Sequence, residues 1–87
     1  MKMEIAVNSY DPEAGVRLEW GDDCSLLVTI DHESVLLQAN QNGLIEFAKH
    51  LLTLAQETVP EWYHVHYDEW NMLQQGSIPL IVKKSEK

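Results

Sequence analysis

Apolar and polar residues alternate with period two over most of the first forty positions. Met3, Ile5 and Val7 alternate with Glu4 and Ala6, which predicts a first short strand. Asn8 to Gly15 contains Asp-Pro and a glycine and reads as a loop. Val16, Leu18 and Trp20 alternate with Arg17 and Glu19, predicting a second strand with one buried face. Gly21-Asp22-Asp23 is a turn, and Leu26, Val28 and Ile30 mark a third strand. The other face of that strand, Ser25, Leu27 and Thr29, is also largely apolar, which predicts a central place in a sheet. Asp31 to Ser34 is a polar turn, and Val35 to Ala39 reads as a fourth strand. Turns this short join antiparallel neighbours, so a meander is expected.

At Asn40 to Gly43 the period changes. From Leu44 to Glu57 it is helical: Leu44, Ile45, Phe47, Ala48, Leu51, Leu52, Leu54 and Ala55 fall on one half of the wheel. Glu46, Lys49, His50, Thr53, Gln56 and Glu57 fall on the other. Leu44, Phe47, Leu51 and Ala55 are therefore expected in the core, and Glu46, Lys49, Thr53 and Glu57 in solvent. Asn42 or Gly43 is the expected N-cap, and Pro60 the stop. Strict alternation returns from Trp62 to Asp68. Asp68 to Gln74 reads as a turn or one to two turns of helix ending near Gly76, and Ile78 to Val82 as a last strand. The predicted fold class is α+β, a mainly antiparallel sheet of about six strands with one long helix packed on one face. The order is ββββαβ, a short helical turn, then β. Residues 1–87 make a single domain, with 83–87 a frayed tail.

Charge narrows the range of partners. The chain carries 14 acidic and 6 basic residues, a formal −8, and three of the basic ones are Lys83, Lys84 and Lys87. Residues 1–82 hold 13 acidic against 3 basic, or −10. Such a body repels phosphates, so no nucleic-acid partner is expected, and it attracts a cationic one. The one cysteine, Cys24, has no internal partner, and Asp22 and Asp23 beside it disfavour a thiolate. No apolar run has the length of a signal peptide core or a membrane span, which leads to the expectation of a cytoplasmic protein with no membrane contact.

The stretch Trp62-Tyr-His-Val-His-Tyr-Asp68 carries the candidate chemistry. As a strand it puts Tyr63, Val65 and Tyr67 on one face, suited to a core. Trp62, His64, His66 and Asp68 lie on the other, with Glu69 and Trp70 just beyond. Indoles, imidazoles and carboxylates together are what interface hot spots use, so these six residues are the candidate partner-binding cluster. A rival reading is chemical. Two histidines two apart on a strand can hold one metal ion from the same side, with Asp68 or Glu69 adding oxygen. The stretch partly resembles the first cupin motif through His64-Val-His66, Glu69 and Gly76, but Thr58 stands where that motif has glycine and the His66–Glu69 gap is short. Neither a nucleophile elbow nor a glycine-rich phosphate loop is present, so no catalytic residue is assigned, and neither a resident metal nor a cofactor is expected. His50 on the polar helix face and His32 in a turn read as solvated residues, and Trp20 as core. A structural or oligomerising module is the third reading.

Several blocks together point to one family. Asn42-Gly43-Leu44-Ile45-Glu46-Phe47-Ala48-Lys49-His50-Leu51-Leu52 is followed by His64-Val-His66-Tyr-Asp68-Glu69, then Leu73, Gly76-Ser77 and Leu80-Ile81-Val82. This half of the chain, Asn42 to Val82, resembles the small bacterial immunity proteins of polymorphic toxin systems, most closely the immunity protein 32 family. The resemblance implies a cytoplasmic protein that binds and neutralises a cognate toxin domain, with no reaction of its own and no cofactor. An acidic body fits a toxin with a cationic surface, because opposite charge speeds capture.

Overall fold

The computed structural model describes residues 1–86. Its elements are β1 (Leu26–Asp31), β2 (Ser34–Ala39), α1 (Gln41–Leu54), β3 (His64–Tyr67) and β4 (Leu80–Lys83). The fold is α+β, but the described residues form four strands rather than about six, and these form two separate antiparallel pairs, β1–β2 and β3–β4. The order is therefore ββαββ. Among the described residues no helix is long and apolar enough to cross a membrane.

The two N-terminal segments expected as strands are not strands. Their alternation is real from Glu4 onward, though Met3 is exposed: Ile5, Val7, Leu18 and Trp20 are half-buried, and Glu4, Ala6, Arg17 and Glu19 are exposed. What they lack is a ladder partner. Side chains bind their backbone instead, with His50 Nε2 on the Glu19 carbonyl at 2.7 Å and Gln56 Nε2 on the Asn8 carbonyl at 2.6 Å. The Val16 N–H donates to Tyr63 Oη at 2.9 Å. Alternation reports which face is buried, and that burial is compatible with an extended chain lying on the core without pairing.

β1 is flanked on both edges. One edge ladders with β2, Leu26 opposite Ala39 through Asp31 opposite Ser34. Along the other runs the segment 74–78, whose Gln74 and Ile78 N–H groups donate to the Leu26 and Val28 carbonyls at 2.9 and 2.8 Å. This segment belongs to the link between β3 and β4, so it ties the two strand pairs together. Of the two readings of 68–74, a turn or a short helix, the structure shows the turn. Asp68 accepts from the Asn71 and Leu73 N–H groups at 2.9 and 3.0 Å through its carbonyl, and Met72 at φ 76° reverses the chain. Gly76 does take the left-handed conformation, at φ 95°.

The helix begins and ends earlier than its periodicity suggested, and Asn40 caps it rather than Asn42 or Gly43. Asn40 Oδ1 accepts from the Gly43 N–H at 2.7 Å and from the Ser25 N–H at 3.1 Å, and Nδ2 donates to the Asp23 carbonyl at 2.6 Å. One side chain thus fixes the helix start onto the start of β1. The helix is also rotated by roughly a third of a turn from its apolar half, at about 100° per residue. Gly43, His50, Thr53 and Leu54 face inward, whereas Leu44 is 54% exposed, Leu51 41%, and Ala55 exposed. Glu46 and Lys49, expected in solvent, are half-buried and pair at 3.7 Å, while Glu57 is exposed as expected. The cause is close packing at both ends. A Cβ on Gly43 would fall on the Ser25 carbonyl oxygen, so only glycine lets the helix approach β1 there.

The core contains Leu26, Val28, Tyr67 and Leu73, with Leu18, Trp20, Leu37, Phe47, Val65, Ile78, Leu80 and Val82 packed around them. Lys83, placed by the sequence in a fraying tail, closes β4, and Lys84 Nζ donates to the Gln56 and Val59 carbonyls at 2.6 and 2.8 Å. The end of that expected tail, Lys87, lies outside the described residues.

Candidate functional site

The candidate site is the outer face of β3–β4. Its position follows from what holds the inner face. Tyr67 is 2% exposed and packs edge-on against Phe47 and Trp20, with ring centroids 5.6 and 6.1 Å apart. His50 stacks on Tyr67 and meets Trp20 edge-on at 4.2 Å. Sequence pattern placed His50 in solvent, but it is 3% exposed and one of the best-anchored side chains in the molecule. Nε2 faces a carbonyl oxygen, which can only accept, so Nε2 carries the proton. Nδ1 is then an acceptor, and the Tyr67 hydroxyl donates to it at 3.1 Å. Burial lowers the affinity of His50 for a second proton and pushes the Tyr67 hydroxyl up to about 12.

On the inner face Val65 and Tyr67 pair with Val82 and Leu80, and Tyr63 reaches the N-terminal loop, its ring edge-on to Tyr10 at 5.9 Å. Because residues alternate across a strand, His64 and His66 must then point outward, and both are exposed. Their rings lie 5.0 Å apart, edge to face. Lys83 stands opposite His64 and Ile81 opposite His66, so a cation and an exposed apolar side chain complete the face. Ile81 and Lys83 were not legible from pattern, since Leu80, Ile81 and Val82 form one apolar run; the pairing with β3 decides which of them face outward.

The other candidate residues divide into two kinds. Trp62 lies in the turn before β3, not in the strand, and stacks on Tyr63 while remaining 67% exposed. It walls an open groove of about 370 Å³ with Glu61, Lys83, Ser85 and Glu86. Trp70 is 98% exposed and walls a second groove of about 380 Å³ with Asp68, Glu69, Ser77 and Pro79. The two carboxylates are committed to the turn beyond β3. Asp68 Oδ1 accepts from the Trp70 N–H at 3.0 Å, and Glu69 Oε1 accepts from the Gly76 N–H at 3.1 Å. Asn71 Nδ2 donates to the His66 carbonyl at 2.8 Å and closes the same turn. The histidine rings are free of that network, so the carboxylates shape the surface and the aromatic rings make it.

No group of three or more His, Cys, Asp or Glu side chains among the described residues is arranged to hold a metal ion. Desolvation, then Glu46, Asp23 and Asp22, push the Cys24 thiol above its ordinary value, which disfavours the thiolate. What the face offers is aromatic and hydrogen-bonding contact area. The family model described as immunity protein 32 matches residues 34–85, from β2 through β4, and the chain belongs to that family. No curated protein and no solved structure matches the chain.

Proposed function

We propose that this protein neutralises a cognate toxin domain of a bacterial polymorphic toxin system by binding it with the outer face of β3–β4, acting in the cytoplasm and catalysing no reaction. The contact residues in this reading are Trp62, His64, His66 and Trp70, with Asp68 and Glu69 holding the turn that presents Trp70. Membership of an immunity family supports a protein partner. The observation that carries the choice of surface is Trp70, an indole 98% exposed beside a strand whose outward residues are imidazoles. A tryptophan left in water contributes nothing to folding and is the side chain most often found at binding hot spots. The formal charge of −8 favours a toxin with a cationic surface and speeds its capture.

A toxin domain encoded by a neighbouring gene is the partner to test. W70A and H66A should leave the melting temperature unchanged and weaken toxin binding by roughly 2 kcal/mol or more, about thirtyfold. A sharp fall in melting temperature with full-strength binding by the remaining folded protein would refute the assignment of this face.

A further inference from the structure

The rotation of α1 leaves an apolar surface unexplained. Gln41, Leu44, Leu51, Leu52 and Ala55 are exposed along one side of the helix, with Ile45 and Ala48 half-buried between them. Not one of these seven residues is charged, on a chain that carries a formal −8.

We propose that this stripe is a self-association surface, pairing with the same stripe of a second copy as an antiparallel helix pair that crosses at Ala48. The pattern is symmetric about that residue. Leu44 and Leu52 lie four positions to either side, Ile45 and Leu51 three, Gln41 and Ala55 seven. In an antiparallel pair with two-fold symmetry each residue before the crossing meets its counterpart after it, so Leu44 meets Leu52 twice and Ile45 meets Leu51 twice. Alanine at the crossing lets the axes approach to about 8 Å, the short end of helix packing distances.

Charge selects the occupant. A cationic partner is drawn to the acidic surfaces and gains nothing specific from an uncharged stripe. A second copy carries the same −8, so self-contact costs least at a stripe without carboxylates, bordered by Lys84 beside Leu51 and Ala55. Area sets the strength. With Leu44, Leu52 and Leu51 at 54, 47 and 41% exposure, the stripe offers about 400 Å² per copy, below the ~600 Å² per partner of stable interfaces. The dimer is therefore weak, with a dissociation constant on the order of 0.1 mM. Salt strengthens it by screening the mutual repulsion, the reverse of its effect on capture of a cationic toxin.

Sedimentation equilibrium of the full chain between about 5 µM and 1 mM, in low salt and about 0.5 M salt, tests this. The mass should climb from 10.0 kDa toward twice that value, at lower concentration in high salt. L44K and L52E should each weaken association about tenfold or more, because each sets a charge against leucine. The double variant L44K/L52E should associate more tightly than either, because at both ends a lysine of one copy then faces a glutamate of the other. In the unaltered chain, amide shifts that depend on concentration should cluster over Gln41 to Ala55, a readout that needs no variant. A chain monomeric at 1 mM in both salts, a double variant no better than the singles, or shifts confined to the free edge of β2 would each overturn the proposal.

Discussion

Replacing His50 by alanine separates the folded environment of this residue from the one its sequence position suggests. A solvated residue on a polar helix face would cost under about 0.5 kcal/mol, and alanine would even favour the helix slightly. The structure predicts a far larger loss. Truncation leaves the Tyr67 hydroxyl, on a side chain 2% exposed, without its acceptor, which costs about 1–3 kcal/mol for a buried unsatisfied group. It also removes the 2.7 Å bond to the Glu19 carbonyl, which water can partly replace, so this term is about 0.5–1 kcal/mol. The vacated ring volume beside Trp20 adds about 1–2 kcal/mol. The sum, about 2.5–6 kcal/mol, is a large part of the ~4–13 kcal/mol expected for a domain of this size. Urea unfolding followed by far-ultraviolet circular dichroism measures it. The pH dependence is a second readout with a defined sign. Burial holds His50 below its ordinary value of 6.5, so between the two values the unfolded chain binds more protons than the folded one. The His50 contribution is complete above 6.5 and declines as pH falls through the lower folded value. The stability difference between the unaltered chain and H50A should therefore shrink on acidification. A loss under 0.5 kcal/mol, or a difference independent of pH, would refute the buried assignment.

Two further predictions test the rotation of the helix. L51A should cost less than about 1 kcal/mol in dilute protein, whereas L54A, which truncates a side chain 6% exposed, should cost about 2–5 kcal/mol; equal losses in urea unfolding would mean that the apolar half faces inward. G43A should destabilise by about 1–3 kcal/mol despite the better helix propensity of alanine, because its Cβ meets the Ser25 carbonyl. A higher melting temperature for G43A would show that the helix does not lie against β1.

Local pattern determined the parts of this protein that depend on one segment at a time. Period two across Tyr63, Val65 and Tyr67 placed those residues inward and left His64 and His66 outward, because side-chain alternation is a property of the strand alone. The Asp31–Ser34 turn, a helix covering most of residues 44–57 and the left-handed Gly76 were legible for the same reason. The blocks from Asn42 to Val82 also carried enough of the family pattern to indicate the class of protein. Tertiary structure decided what depends on a partner distant in the chain. Whether an alternating segment becomes a strand depends on a neighbouring backbone, and the N-terminal segments found the side chains of His50, Gln56 and Tyr63 instead. Asn40 became the cap because Ser25 and Asp23 were there to bind it. Helical periodicity gives the angle between apolar and polar halves but not which line along the helix touches the core. That line was set by a glycine against the Ser25 carbonyl and by a histidine whose two nitrogens found partners 17 and 31 residues away.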